Sequence, residues 1–200
     1  MTDQTDLAAL LGSRICHDLI SPLGAIGNGV ELLMLDGGAT RPEVALIAQS
    51  VASANARIRF LRVAFGVAGA EQRLGQPEIT GLLADWTAGG RLRVDWQAGG
   101  DHTRPEVQRA FLALMCLEAA LPLGGLIEVT RTPTGWAFAA GGRRVREDGI
   151  PWELLTEAET TVELTAPQVQ FGLLRAALLR GPGLASLSRR ADGLDLALPD

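Results

Sequence analysis

Ser13-Arg-Ile-Cys-His-Asp-Leu-Ile-Ser-Pro-Leu-Gly24 carries two patterns at once. At about 100° per residue, Ile15, Leu19 and Leu23 share one side of a helix, and His17 lies about 160° to 200° from Ile15 and Leu19. Outward from this stretch the apolar side continues through Leu11, Ile26, Val30 and Leu33, with Leu7 at its edge. The pattern predicts a helix from near Asp3 to about Leu35, closed by Asp36-Gly37-Gly38. The opposite side carries His17 among Ser13, Arg14, Ser21, Gly24 and Asn28.

A second helix is expected from about Arg41 to Ala68, with Val44, Ile47, Ala48, Val51, Ile58, Leu61 and Phe65 on its apolar side. Thr40-Arg-Pro-Glu43 opens it with a capping box and a first-turn proline. Two long helices joined by a short glycine turn make a helical hairpin. Such a hairpin cannot enclose its own apolar faces, so pairing with a second copy into a four-helix bundle is the expected solution.

The 200 residues carry 18 basic and 23 acidic side chains, a net charge of −5, and every basic residue is arginine. The missing lysine excludes a phosphate-loop NTPase and Schiff-base chemistry. The acidic balance argues against general nucleic-acid binding, which depends on cationic contacts to phosphates. Hydrophobic content of 47% supports a buried core. No stretch approaches 18 uninterrupted apolar residues and the start lacks a signal-peptide pattern, so neither membrane insertion nor export is expected. Cys16 and Cys116 lie far apart in sequence, which fits a reducing, cytoplasmic compartment better than a disulfide framework. Cys16 is expected to be a small packing residue, and no metal site of the chain's own is expected.

The hairpin is assigned to residues 1–70, and the Gly- and Gln-containing stretch from Gly69 to Gln76 reads as a linker to a mixed α and β unit over residues 76–200. Within it we expect helices at Pro77 to Ala88, Arg104 to Leu121 and Ala166 to Arg180. The last two open with capping boxes at Thr103-Arg-Pro-Glu106 and Thr165-Ala-Pro-Gln168. Strands are expected at Arg91 to Gln97, Leu126 to Arg131, Gly135 to Ala140, Ala185 to Arg190 and Leu194 to Leu198, forming an open sheet with helices on one face. The charged run from Gly141 to Glu159 reads as a solvated loop. Trp86, Trp96, Trp136 and Trp152 read as packing residues. The fold class is α+β.

Spacing alone leaves His17 open between an ordinary surface residue and a reactive one. The chemistry that suits it is reversible phosphorylation of imidazole. A histidine titrates at about pH 6.5 when unperturbed, so at neutral pH its ring is largely uncharged and nucleophilic. Asp18 is placed to accept the Nδ1 proton, leaving Nε2 facing outward, and Arg14 to support a phosphoryl group by a charge-assisted contact. Pro22 removes the N–H that would bond the Asp18 carbonyl.

Cys16-His-Asp-Leu-Ile-Ser-Pro-Leu-Gly-Ala-Ile26 resembles the phosphoacceptor box of two-component histidine kinases, and with Gly27-Asn-Gly-Val-Glu-Leu-Leu33 it looks like that of the ChpT-type histidine phosphotransferases of alphaproteobacteria. Gly124-Gly-Leu-Ile-Glu-Val129 is similar to the glycine turn and strand after the kinase asparagine-bearing helix. Gln168-Val-Gln-Phe-Gly-Leu-Leu-Arg175 resembles the end of the kinase ATP-binding domain. The resemblance implies a dimeric hairpin followed by a degenerate histidine-kinase ATPase-like α/β sandwich.

The departures separate phosphotransferase from kinase. Phe111-Leu-Ala-Leu-Met-Cys-Leu-Glu-Ala-Ala120 lacks the asparagine and lysine that hold magnesium and nucleotide, and Gly141 to Gly149 does not match Asp-x-Gly-x-Gly. The resemblance therefore implies a histidine phosphotransferase of cell-cycle phosphorelays. His17 would accept the phosphoryl group from a receiver aspartate of a hybrid histidine kinase and pass it to response-regulator aspartates. Ser13, Arg14, Asp18, Ser21 and Asn28 would make phosphoryl or docking contacts. No cofactor of its own is expected; magnesium would come with the partner receiver. The alternatives are a non-catalytic module that binds a kinase or receiver, and an active histidine kinase.

Overall fold

A computed structural model describes residues 4–35, 41–66, 71–146, 148–181 and 183–200. The apolar periodicity of the first segment produces α1, Gln4–Leu35, which runs unbroken through Pro22. It packs against α2, Arg41–Phe65. The Asp36-Gly37-Gly38 turn, the capping box at Thr40 and the expected helix end at Ala68 lie outside the described residues. The α-helix itself stops three residues sooner, at Phe65.

The mixed unit begins with β1, Arg73–Gly75, inside the stretch expected to be a linker. It pairs antiparallel with β3, Asp101–Thr103, Leu74 lying opposite His102. Three-residue strands carry too little alternation to be seen in sequence. Between them come α3, Gln76–Thr87, and β2, Leu92–Trp96.

The central helix is α4, Arg104–Ala120. Its start is held as the sequence predicts: the Thr103 hydroxyl accepts from the Glu106 N–H, and the Glu106 carboxylate accepts from the Thr103 N–H at 2.7 Å. Hydrogen bonds from Thr103 and the charges of Arg131 and His102 overcome the burial that would raise the Glu106 pKa, and the net shift is downward. Thr103→Ala is expected to cost about 1 kcal/mol of unfolding free energy, measured by urea titration. From Ala110 to Leu117 every residue of α4 is buried, as expected of a helix apolar all round.

After α4 come β4, Gly125–Thr132, and β5, Gly135–Gly141, which form a hairpin pairing Thr132 with Gly135. Gly124 takes φ +78°, and a side chain there would run into the Arg91 backbone. That is the physical need behind the glycine turn: it admits β4 beside β2 in parallel register. The chain then forms α5, Glu153–Thr156, a 3-10 turn at Ala166–Gln168, α6, Val169–Leu179, and a last hairpin of β6, Ser186–Arg190, and β7, Gly193–Pro199. The five-stranded sheet has the order β2-β4-β5-β7-β6 and is antiparallel except at β2–β4. Its buried face carries Trp96, Ile127, Val129, Trp136, Phe138, Leu196 and Leu198 toward the helices. The fold is α+β, with a helical hairpin beside this mixed unit.

One expectation needs correction. The charged run after Gly141 is not a solvated loop throughout, because Ile150, Pro151, Trp152, Leu154 and Leu155 are buried and build α5 into the core. The tryptophans do pack: Trp96, Trp136 and Trp152 are buried, and Trp86 stacks on Phe60 at 4.1 Å between ring centroids.

The hairpin is welded to the mixed unit. Phe60, Leu61, Val63 and Ala64 of α2 belong to the same apolar core as α4 and the sheet. Arg104 donates to the carbonyls of Val63 at 2.7 Å and Arg62 at 2.6 Å, and Gln108 donates to those of Ala64 and Gly66. Side chains of α4 thus cap the open carbonyls at the end of α2. Farther out the hairpin leaves apolar residues uncovered, among them Leu23 at 58% exposure and Ile58 at 48%. Among the described residues no helix is long and apolar enough to cross a membrane, and no three His, Cys, Asp or Glu side chains are grouped to hold a metal ion.

Candidate functional site

His17 sits in the middle of α1 with its side chain 80% exposed. Ser13, Ser21, Gly24 and Asn28 are exposed at helical spacing along the same side. Small side chains there leave the approach to the imidazole unobstructed. Cys16 is also exposed, so the expectation of a packing role fails; Cys116 is the buried cysteine, and burial pushes its thiol pKa well up.

The Nδ1 of His17 lies 3.2 Å from Asp18 Oδ1. With the carboxylate as acceptor, this contact favours the tautomer protonated on Nδ1 and leaves the Nε2 lone pair free. The other Asp18 oxygen accepts from Arg14 Nε at 2.9 Å, one helical turn back. Arg14 also donates through Nη1 to the carbonyl of Pro167 at 3.0 Å. Arg14 therefore ties Asp18 to the mixed unit.

Under this side of α1 lies a cavity of about 400 Å³ lined by Arg14, Glu118, Arg146, Pro167, Gln168 and Gln170, among others. Glu118 is the residue that sequence reasoning missed. Its signal was present: it is the one charged residue between Ala110 and Leu121. Burial pushes its pKa up, the charges of Arg14 and Arg57 pull it down, Asp18 pushes it up again, and the net shift is upward. A carboxyl with a raised folded-state pKa binds its proton more tightly in the native chain than in the unfolded one. Its contribution to stability is therefore full below the ordinary carboxylate pKa and lost as pH rises through the raised value. Glu118→Gln is expected to remove this loss, so that denaturation free energies of wild type and variant diverge, in favour of the variant, as pH rises through that window.

The sequence model described as "Histidine phosphotransferase C-terminal domain" matches residues 76–183. Protein phosphotransferase ChpT of Brucella abortus (strain 2308) is 36% identical over 172 residues, covering 82% of this chain and 81% of its own. The chain belongs to the histidine phosphotransferase family. A solved structure described as a bacterial phosphotransferase superposes on this phosphotransferase with a TM-score of 0.80 at 28% identity, over 98% of this chain and 97% of the other. A histidine kinase of Acinetobacter baumannii, AdeS, aligns over 92% of this chain and 97% of its own with a TM-score of 0.46 at 8% identity. In the phosphotransferase, the expected site residues His17, Asp18 and Arg14 form one hydrogen-bonded chain, while Ser13, Ser21 and Asn28 stand exposed along the helix.

Proposed function

We propose that His17 is the phosphoacceptor of a multistep phosphorelay, taking a phosphoryl group from a receiver-domain aspartate of a hybrid histidine kinase and passing it to response-regulator aspartates. The observation that carries this reading is an exposed imidazole whose Nδ1 is held by a carboxylate. The Nε2 lone pair attacks phosphorus, the bond from phosphorus to the donor's carboxyl oxygen breaks, and the electron pair leaves with the carboxylate. No proton moves in this step. The phosphorylated ring keeps its Nδ1 proton and becomes cationic, and Asp18 is placed to stabilise that charge. Onward transfer reverses the step on the acceptor's aspartate. Magnesium is supplied by the partner receiver; this chain needs no cofactor of its own.

Ser13, Ser21 and Asn28 are the docking residues in this reading, their exposure on the His17 side supporting it. The exposed apolar residues of the hairpin, Leu23, Val30, Val44, Val51 and Ile58, support burial against a second copy in a homodimeric four-helix bundle. In this reading the protein works in the cytoplasm and serves cell-cycle control, as the resemblance of its phosphoacceptor box implies. The test is to mix a phosphorylated receiver with this protein and a second receiver. Phosphate should appear on the chain as acid-labile phosphohistidine and then on the second receiver. Incubation with ATP alone should leave the chain unlabelled; labelling there would identify a kinase instead.

A further inference from the structure

We infer that Arg14 is a positioning residue through which the mixed unit sets the acceptor nitrogen of His17. The inference rests on the phosphotransfer reading and gives the mixed unit a part in it. Both oxygens of Asp18 are engaged, Oδ1 facing His17 Nδ1 at 3.2 Å and Oδ2 accepting from Arg14 Nε at 2.9 Å. The same guanidinium donates through Nη1 to the Pro167 carbonyl, 153 residues farther along the chain. One planar group thus spans from the carboxylate on α1 to a backbone oxygen of the other unit.

That oxygen is itself well fixed. Gln170 donates to it at 2.9 Å. The Gln168 side chain binds the Thr165 N–H and hydroxyl through Oε1 and donates through Nε2 to the Gly149 carbonyl. The approach of α1 is close as well: a Cβ on Gly172 of α6 would press on methyl groups of Leu7 and Leu164.

Arg14 and Asp18 are only 18% and 10% exposed, unlike the solvent-screened helix pairs that contribute little. Anchored on its far side, Arg14 holds the Asp18 carboxylate in one orientation. Asp18 then holds the Nδ1 proton, and Nε2 remains the nitrogen open to phosphorus. Lysine can supply the charge at this position but not the two-sided fork.

The experiment uses the intact chain labelled with ¹⁵N-histidine, the His17 signals being assigned by their loss in His17→Ala. In unphosphorylated wild type, at a pH where the ring is neutral, the Nδ1–H tautomer should dominate. Arg14→Gln should raise the share of the Nε2–H tautomer, slow transfer from a phosphorylated receiver by about 10- to 100-fold, and move the pH profile of that transfer. Arg14→Lys should fall between the two, and it decides the matter by the same spectra if Arg14→Gln does not fold. A tautomer ratio and pH profile that ignore both substitutions overturn the linkage. A wild type that takes up no phosphate overturns the phosphotransfer reading, whatever its tautomer ratio.

Discussion

Alanine at position 17 is expected to reduce phosphoryl flow between two receivers to the level seen without the protein, while leaving the melting transition in place. The loss is complete in principle because nothing else on this helix side offers a nitrogen lone pair: Ser13, Ser21 and Asn28 carry hydroxyls and an amide. Phosphoryl transfer depends on the position of donor, phosphorus and acceptor, so removing the acceptor leaves the neighbours nothing to orient. The fold should survive because the His17 side chain is 80% exposed and, among the described residues, its hydrogen-bond partner is the adjacent Asp18. A change within about 0.5 kcal/mol is the usual result for a surface position. The measurement pairs labelled-phosphate transfer with thermal denaturation of the same samples. Unchanged transfer by His17→Ala would remove the imidazole from the mechanism, and binding of a receiver without transfer would favour a non-catalytic module.

The second large effect is expected in the core. Phe111 is fully buried, with its ring stacked on Phe60 at 4.8 Å between centroids, and Phe60 in turn stacks on Trp86. Three rings from α4, α2 and α3 thus form one column where the hairpin meets the mixed unit. Phe111→Ala removes the α4 end of the column and its contact with Phe60, and leaves a cavity that the surrounding packed residues fill poorly. The expected cost is about 3 to 5 kcal/mol. For a chain of this size that lowers the melting temperature by roughly 6 to 20 °C. Calorimetry of the variant checks the figure, and a shift of a few degrees or less would show that the column relaxes around the gap.

Local signals made part of this structure legible. The box at Thr103 names both hydrogen-bonding partners within four residues, and the helix begins where it says. Gly124 and Gly125 mark the turn into β4 because side chains there would strike the backbones of Arg91 and Gly141. The period of α1 placed His17 opposite the apolar stripe, and adjacency placed Asp18 beside it. The segment from Ile150 to Leu155 was hidden by the arginines and acids around it, since its burial depends on α6 and β6 arriving from later in the chain. The Pro167 carbonyl carries no side-chain signature and meets Arg14 only in the folded chain. Sequence spacing accordingly pointed to Arg14 as a phosphoryl or docking contact but gave no sign of its bridge from Asp18 to Pro167.

The capping of α2 by Arg104 and Gln108 also bears on how a partner is met. A hinge at the base of the hairpin would need four carbonyl contacts to open and the Phe60 column to part, so the His17 helix and the mixed unit present themselves as one rigid template. A receiver that touches both surfaces gains the second contact without ordering a tether, and the two binding energies combine without that entropic loss. Each surface can then be weak alone, and release after transfer can stay fast.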